Sequence, residues 1–137
     1  MIKYQLRGIE EGDLNFIFNS WLKSYRKSDF AKKVPSDVYY YHHKGVIDRL
    51  LSHSSILVAC NPDNPAQVFG YIVASHEPIL AVHYVYVKYN YRKLGLGKAL
   101  AEALIPDFCE KEVLCTHANY YWRELSDKYA LVFNPYI

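Results

Sequence analysis

Apolar and polar residues alternate at the start of the chain, with Ile2, Tyr4, Leu6 and Gly8 set against polar neighbours, and this period of two predicts a half-buried strand over residues 2–8. Glu11-Gly12-Asp13 ends it, and Asp13 stands where a helix N-cap is wanted. The period then changes. Leu14, Ile17, Phe18, Trp21, Leu22 and Tyr25 recur at helical spacing and form one continuous stripe. Polar residues lead to Pro35-Ser36-Asp37, the start of a second helix that turns Tyr39, His43, Val46, Ile47 and Leu50 inward.

Three strands are predicted next. Residues 55–60 are a short buried run, and Asn61-Pro62-Asp63-Asn64-Pro65 is dense turn chemistry. Residues 68–75 supply the hairpin partner, Glu77-Pro78 breaks the chain, and residues 80–88, rich in Val and Tyr, form the next strand of an antiparallel meander. A helix with Leu96, Leu100, Ala103 and Leu104 on one face follows, kinked or ended by Pro106. Residues 113–117 read as a fifth strand, residues 119–129 as a short helix aligning Trp122, Leu125 and Tyr129, and residues 130–133 as a last strand. The order is β-α-α-β-β-β-α-β-α-β, without internal repeat or linker, and a single domain over residues 1–137 is expected.

Composition narrows the function classes. With 51% apolar and 22% charged residues the chain has enough apolar surface to fold, which excludes a disordered or low-complexity segment. Sixteen basic against fourteen acidic residues, scattered along the chain, argue against a dedicated nucleic-acid binder. Cys60, Cys109 and Cys115 lack the paired spacing of a zinc site and read as reduced thiols of a cytoplasmic protein. His42 and His43 point about 100° apart around a helix and are poorly placed to share a metal, so none is expected. The N-terminus has no apolar signal core and no run is long enough to span a membrane, so neither export nor a membrane partner is expected. Tyrosine is the anomaly, at 14 residues, and leaves open a stacking surface, a binding face or an aromatic core.

The chemistry gathers at Arg92-x-x-Gly95-x-Gly97, directly after a strand and directly before a helix. Glycines let the backbone approach closely, and the free N–H groups of a helix start point at negative charge, so the segment reads as a phosphate cradle. Arg92, Lys93 and Lys98 add cationic support. A dinucleotide fingerprint would want an early Gly-x-Gly-x-x-Gly, and a Walker loop a hydroxyl after Gly97-Lys98, where Ala99 stands instead. The plainer alternative is that Gly95 and Gly97 only permit close helix-on-strand packing.

Residues 85–100, Val-Tyr-Val-Lys-Tyr-Asn-Tyr-Arg-Lys-Leu-Gly-Leu-Gly-Lys-Ala-Leu, resemble the acetyl-CoA signature of the GCN5-related N-acetyltransferase (GNAT) family. The order of elements also resembles that family's α+β, three-layer fold, with a mixed, mostly antiparallel central sheet and a shortened C-terminal end. The resemblance implies acetyl-CoA as co-substrate and transfer of its acetyl group to a primary amine of a small molecule or protein by direct attack. It implies that backbone groups of Tyr86 and Val87 pair with the pantetheine arm while Arg92, Lys93, Gly95, Leu96, Gly97 and Lys98 hold the pyrophosphate. His83, four residues before the valine that ends the signature strand, is the implied base, against an equally weighted reading as a hydrogen-bonded core histidine; Glu77 is a second base acting through water. The family's acid tyrosine would fall at Ser126, so Tyr129, one turn on, takes that role. Trp21 and Tyr25 are candidates for lining the acceptor region, although their spacing is that of ordinary core packing. Two other readings stand beside this one: a catalytically silent CoA-binding or protein-interaction member of the same fold, and a nucleic-acid-binding domain. Exposed aromatics would suit a homodimer face.

Overall fold

A computed structural model describes residues 2–119 and 122–136. Six strands form one sheet in the order β1 to β6: β1 (Gln5–Arg7), β2 (Ser55–Asn61), β3 (Asn64–Ser75), β4 (Ala81–Val87), β5 (Val113–Cys115) and β6 (Leu131–Phe133). The first four pair antiparallel, as the meander predicts, whereas β4–β5 and β5–β6 are parallel. Four α-helices are described: α1 (Asp13–Tyr25), α2 (Ser36–His53), α3 (Leu96–Leu104) and α4 (Trp122–Lys128). The mixed sheet and the α+β order agree with the sequence reading.

Each face of the sheet buries a different chemistry. The α1 and α2 stripes cover one face with Ile17, Trp21, Tyr25, Tyr39 and Ile47, packed on Tyr71 and Tyr84 of the sheet. On the other face α3 lays Leu96, Leu100 and Ala101 over Phe69, Ile72 and Val113. The inward stripe of α3 thus runs through Leu96, Leu100 and Ala101, which leaves Ala103, expected inside, on the exposed side of the helix. Leu14, in the first turn of α1 at the expected start of its stripe, is also exposed.

Asp13 is the first residue of α1 and makes no side-chain cap. Its carboxylate accepts from the Arg7 guanidinium at 2.6 and 3.3 Å and from the Glu10 amide at 2.7 Å. Burial would raise its pKa, but the Arg7 hydrogen bond, the Glu10 amide and the Arg7 charge together hold it below the usual value. Arg7 also donates to the Pro65 carbonyl at 2.9 Å, so one charged pair fastens β1, α1 and the β2–β3 hairpin together. Other departures lie at element ends. Strand β1 shrinks to three residues, β3 begins within the expected turn at Asn64, and β5 stops at Cys115, two residues early. Pro106 stands just beyond the end of α3. Tyr120 and Tyr121, expected in the last helix, lie outside the described residues.

Candidate active site

The site is a place where the sheet opens. Strand β5 pairs with β4 only at Ala81 and Val82, and the Thr116 amide donates to the Val82 carbonyl at 3.1 Å; from His83 to Val87 strand β4 continues without it. A bulge sits at this point. Val73 opposes Tyr84 and Ala74 opposes Val82, so His83 is the extra residue, and a bulge bends its strand and re-aims side chains. The result is a cavity of about 130 Å³ between the diverging strands, lined by Val82, His83, Val85, Cys115, His117 and Asn119 from the sheet side. Gly97, Lys98 and Ala101 of α3 and Trp122, Leu125 and Tyr129 from the α4 region close it.

The signature segment forms one wall. Lys88 donates its amide to the Phe69 carbonyl at 2.8 Å, and because successive backbone groups alternate in direction, Tyr86 faces β3 while Val85 and Val87 turn toward the opening. Gly70 brings the strands unusually close there, since a Cβ on it would run into the Tyr86 carbonyl and stand 3.1 Å from the Val87 Cα. Of the two residues expected to meet the pantetheine arm, Val87 therefore presents its backbone to the opening and Tyr86 does not. The Val87 carbonyl already accepts from Arg92 Nε at 2.7 Å, and the guanidinium lies near the rings of Tyr86 and Tyr89. Arg92 thus ties the loop to the end of β4.

Lys93 and Gly95 adopt left-handed backbone, at φ 64° and 84°, and this tight path delivers the chain into α3 at Leu96. The first-turn amides of Leu96, Gly97 and Lys98 have no carbonyl one turn back to bond and form the positive end of the helix. Gly97 faces β4, where a Cβ would make ordinary contact with Val85 Cγ1 at 3.8 Å. Of the sequence-predicted cradle residues, Gly97 and Lys98 line the cavity, Arg92 lines a depression on the α1 side instead, and the Lys93 and Lys98 side chains are exposed.

His83 is 2% exposed, and both ring nitrogens are engaged: Nε2 with Ser75 Oγ and Nδ1 with Thr116 Oγ1, each at 2.9 Å. Burial, aided by the Arg49 charge, lowers its pKa to about 4, so the ring is neutral near pH 7. Cys115, in the same cavity, has its thiol pushed up to about 12 by burial and stays protonated. Tyr129 follows α4 at the cavity rim, its ring 5.0 Å from that of Phe108. Glu77 is exposed in the β3–β4 turn and does not line the cavity.

Trp21 and Tyr25 correct the expectation for the acceptor region. They are 0% and 1% exposed, and stacking on Tyr84 and on His43 leaves them no surface to offer. The depression on that side is instead lined by Lys23, Lys27, Arg92, Phe16 and Tyr86, with a volume of about 380 Å³. Sequence reasoning also missed His117. It lines the cavity beside His83 and shares a 2.8 Å hydrogen bond with Thr116, a position that only the β4–β5 register reveals. Among the described residues no group of three or more His, Cys, Asp or Glu side chains is arranged to hold a metal ion, and no helix is long and apolar enough to cross a membrane.

Residues 14–130 match the sequence model of the Acetyltransferase (GNAT) family. Among solved structures the fold is similar to a putative acetyl transferase from Pyrococcus furiosus, with 19% identity, a TM-score of 0.60 and 91% of each chain covered. It is similar to the apo form of YjaB from Escherichia coli, with 15% identity and a TM-score of 0.54 over 77% of this chain and 66% of that one. A third likeness is to NAA60 from Arabidopsis thaliana in complex with a bisubstrate analogue, with 15% identity and a TM-score of 0.51 over 82% of this chain and 70% of that one. This chain thus spans about two thirds of YjaB but nine-tenths of the Pyrococcus protein. At these identities the likeness speaks for the fold. No curated protein matches the sequence.

Proposed function

The chain belongs to the acetyltransferase (GNAT) family, and from that premise we propose that it transfers the acetyl group of acetyl-CoA to a primary amine by direct attack in a ternary complex. One observation carries the reading: β4 and β5 part at a bulge beside the N-terminus of α3, so a strand edge, a helix start and a buried histidine converge on one apolar cavity. The α3 amides, with Lys93 and Lys98, suit a pyrophosphate. The backbone of Val85 and Val87 suits the amides of a pantetheine arm laid along β4. That arm would bring the thioester to the level of His83.

The amine must reach the acetyl carbon as a free base, lose a proton and meet donors for the developing oxyanion. His83 is the proton acceptor of this reading, Glu77 lies outside the cavity lining, and Tyr129 in that lining is the donor for the departing thiolate. Cys115 is the one thiol in the cavity wall, and its raised pKa argues against an acyl-enzyme route. The basic depression between α1 and the end of β4 is the acceptor's approach.

A panel of amines assayed for CoA thiol release tests the reading. Turnover with at least one amine is expected, reduced at least tenfold by His83→Gln, and Gly97→Glu, which sets a carboxylate at the helix start, abolishes acetyl-CoA binding. Tight acetyl-CoA binding without turnover on any amine would favour the silent CoA-binding alternative.

A further inference from the structure

The hydrogen bonds of His83 do not stop at Thr116. His117 takes its Nδ1 bond from the same hydroxyl and shares a 2.9 Å bond through Nε2 with Nε2 of His43 on α2. Ser75, His83, Thr116, His117 and His43 therefore form one unbroken file from the end of β3, past the cavity, to a half-buried ring on the helix layer. The fold holds the file firmly. Tyr25 and Tyr39 stack on the His43 ring at 5.2 and 5.0 Å, and Trp21 and Tyr25 pack edge-on against His117 at 5.0 and 4.5 Å.

Proton counting gives the file an order. A neutral imidazole has one N–H and one lone pair, and a hydroxyl has one proton to give. Thr116 must donate to one ring and accept from the other if each bond is to hold one proton. Two arrangements satisfy this. In the first, Ser75 donates to His83 Nε2, His83 Nδ1 to Thr116, Thr116 to His117 Nδ1 and His117 Nε2 to His43, whose own proton is on Nδ1. In the second every donor and acceptor is exchanged, and passing one proton along the whole file converts the first into the second.

We propose that this file is a proton wire with its outlet at His43, draining the proton that the attacking amine gives up. The inference rests on the acetyl-transfer reading. As the amine nitrogen bonds to the acetyl carbon its N–H bond breaks, and the proton goes to His83 Nε2 in place of the Ser75 hydroxyl. His83 Nδ1 passes its proton to Thr116, Thr116 to His117 Nδ1, His117 Nε2 to His43 Nε2, and His43 Nδ1 to water. One proton enters, one leaves and no ring stays charged.

The surroundings suit conduction rather than storage. Burial keeps His43 at about 4, as it does His83, and holds His117 well below the usual histidine value, with the neighbouring His43 and His83 acting in the same sense. The charged neighbour acting on the file is Arg49, the rings packed on it are those of Trp21, Tyr25, Tyr39 and Tyr84, and among the described residues no carboxylate acts on the three rings. A ring that hardly holds a proton serves better as a base when it can hand the proton on, which suits His83 as base with its depressed pKa.

Two-bond nitrogen–proton correlation spectra of the free protein report which nitrogen of each ring is protonated, without any substrate. The expected result is unlike nitrogens on His83 and His117, one Nδ1 and one Nε2, a pairing kept by Thr116→Ser and lost in the isosteric Thr116→Val. Under turnover, His43→Gln, which keeps a hydrogen bond but cannot pass a proton, is expected to lower kcat about tenfold with the KM for acetyl-CoA unchanged. Like nitrogens on the two rings would overturn the wire, and a wild-type kcat in His43→Gln would overturn the outlet. A wild-type protein that acetylates no amine would instead overturn the transfer reading, while the tautomer pair still decides the wire.

Discussion

The two faces of the sheet are built to different rules. On the α1–α2 face, bulky tyrosine rings carry hydroxyls that are tied down, although the buried Trp21 Nε1 has no partner among the described residues: Tyr84 shares a 2.6 Å bond with Ser24, Tyr71 a 2.8 Å bond with Ser20, and Tyr39 donates to the Leu22 carbonyl at 2.6 Å. On the α3 face the buried core is mostly aliphatic, with Phe69 and Phe108 beside it, and Val82, Ala101, Phe108 and Cys115 continue it into the cavity wall. A face of hydrogen-bonded rings fixes positions, because each ring is held by shape and by direction at once. An aliphatic face is held by shape alone and can admit an apolar arm. Under the proposed function, the rigid half carries most of the histidine file and the other half receives the cofactor.

Truncation on each face breaks the comparison most forcefully. Trp21→Ala is expected to cost ~3–5 kcal/mol in denaturant unfolding, because it empties the space against which Tyr84 and His117 pack. Leu100→Ala, fully buried on the other face, is expected to cost ~2–4 kcal/mol and also to weaken acetyl-CoA binding by loosening α3, an effect Trp21→Ala should lack. If both variants weaken acetyl-CoA binding alike, the faces are not separable.

Acid sharpens the contrast next. The folded-state pKa of His83 lies below its unfolded value of 6.5, so the unfolded chain binds the proton first; the stability present above pH 6.5 falls as pH drops toward 4. At pH 5 the loss for His83 alone is ~2 kcal/mol, a decrease of several degrees in Tm, with His43 and His117 acting in the same direction. His83→Gln should flatten this part of the profile, and an unchanged slope would contradict the buried, neutral ring. The smallest effect is expected from Tyr84→Phe, about 1 kcal/mol, since it removes the bond to Ser24 while keeping the ring.

Much of this was legible in the sequence. The helical stripe from Ile17 to Tyr25, the meander and the glycine-led turn into α3 follow from local periodicity and turn chemistry, and apart from the start of β3, four residues early at Asn64, each lies within a residue or two of its predicted place. The bulge at His83 was not legible, because it arises from how two strands register and not from either strand alone. His117 and His43 stayed hidden for a related reason: they lie 34 and 40 positions from His83 and meet only when β5 ends early and α2 docks. Trp21 and Tyr25 illustrate the converse, since helical spacing had already marked them as core. The tyrosine excess divides accordingly, with Tyr25, Tyr39, Tyr71 and Tyr84 filling the rigid face while Tyr41, Tyr89 and Tyr136 stand in solvent.

Amide shifts on titration with acetyl-CoA test the assignment of the two faces most directly. Perturbations concentrated at Val85, Val87, Gly95, Leu96 and Gly97, with the buried rings of α1 and α2 undisturbed, are the predicted result. Perturbations centred on α1 and α2, or none at millimolar acetyl-CoA, would contradict it.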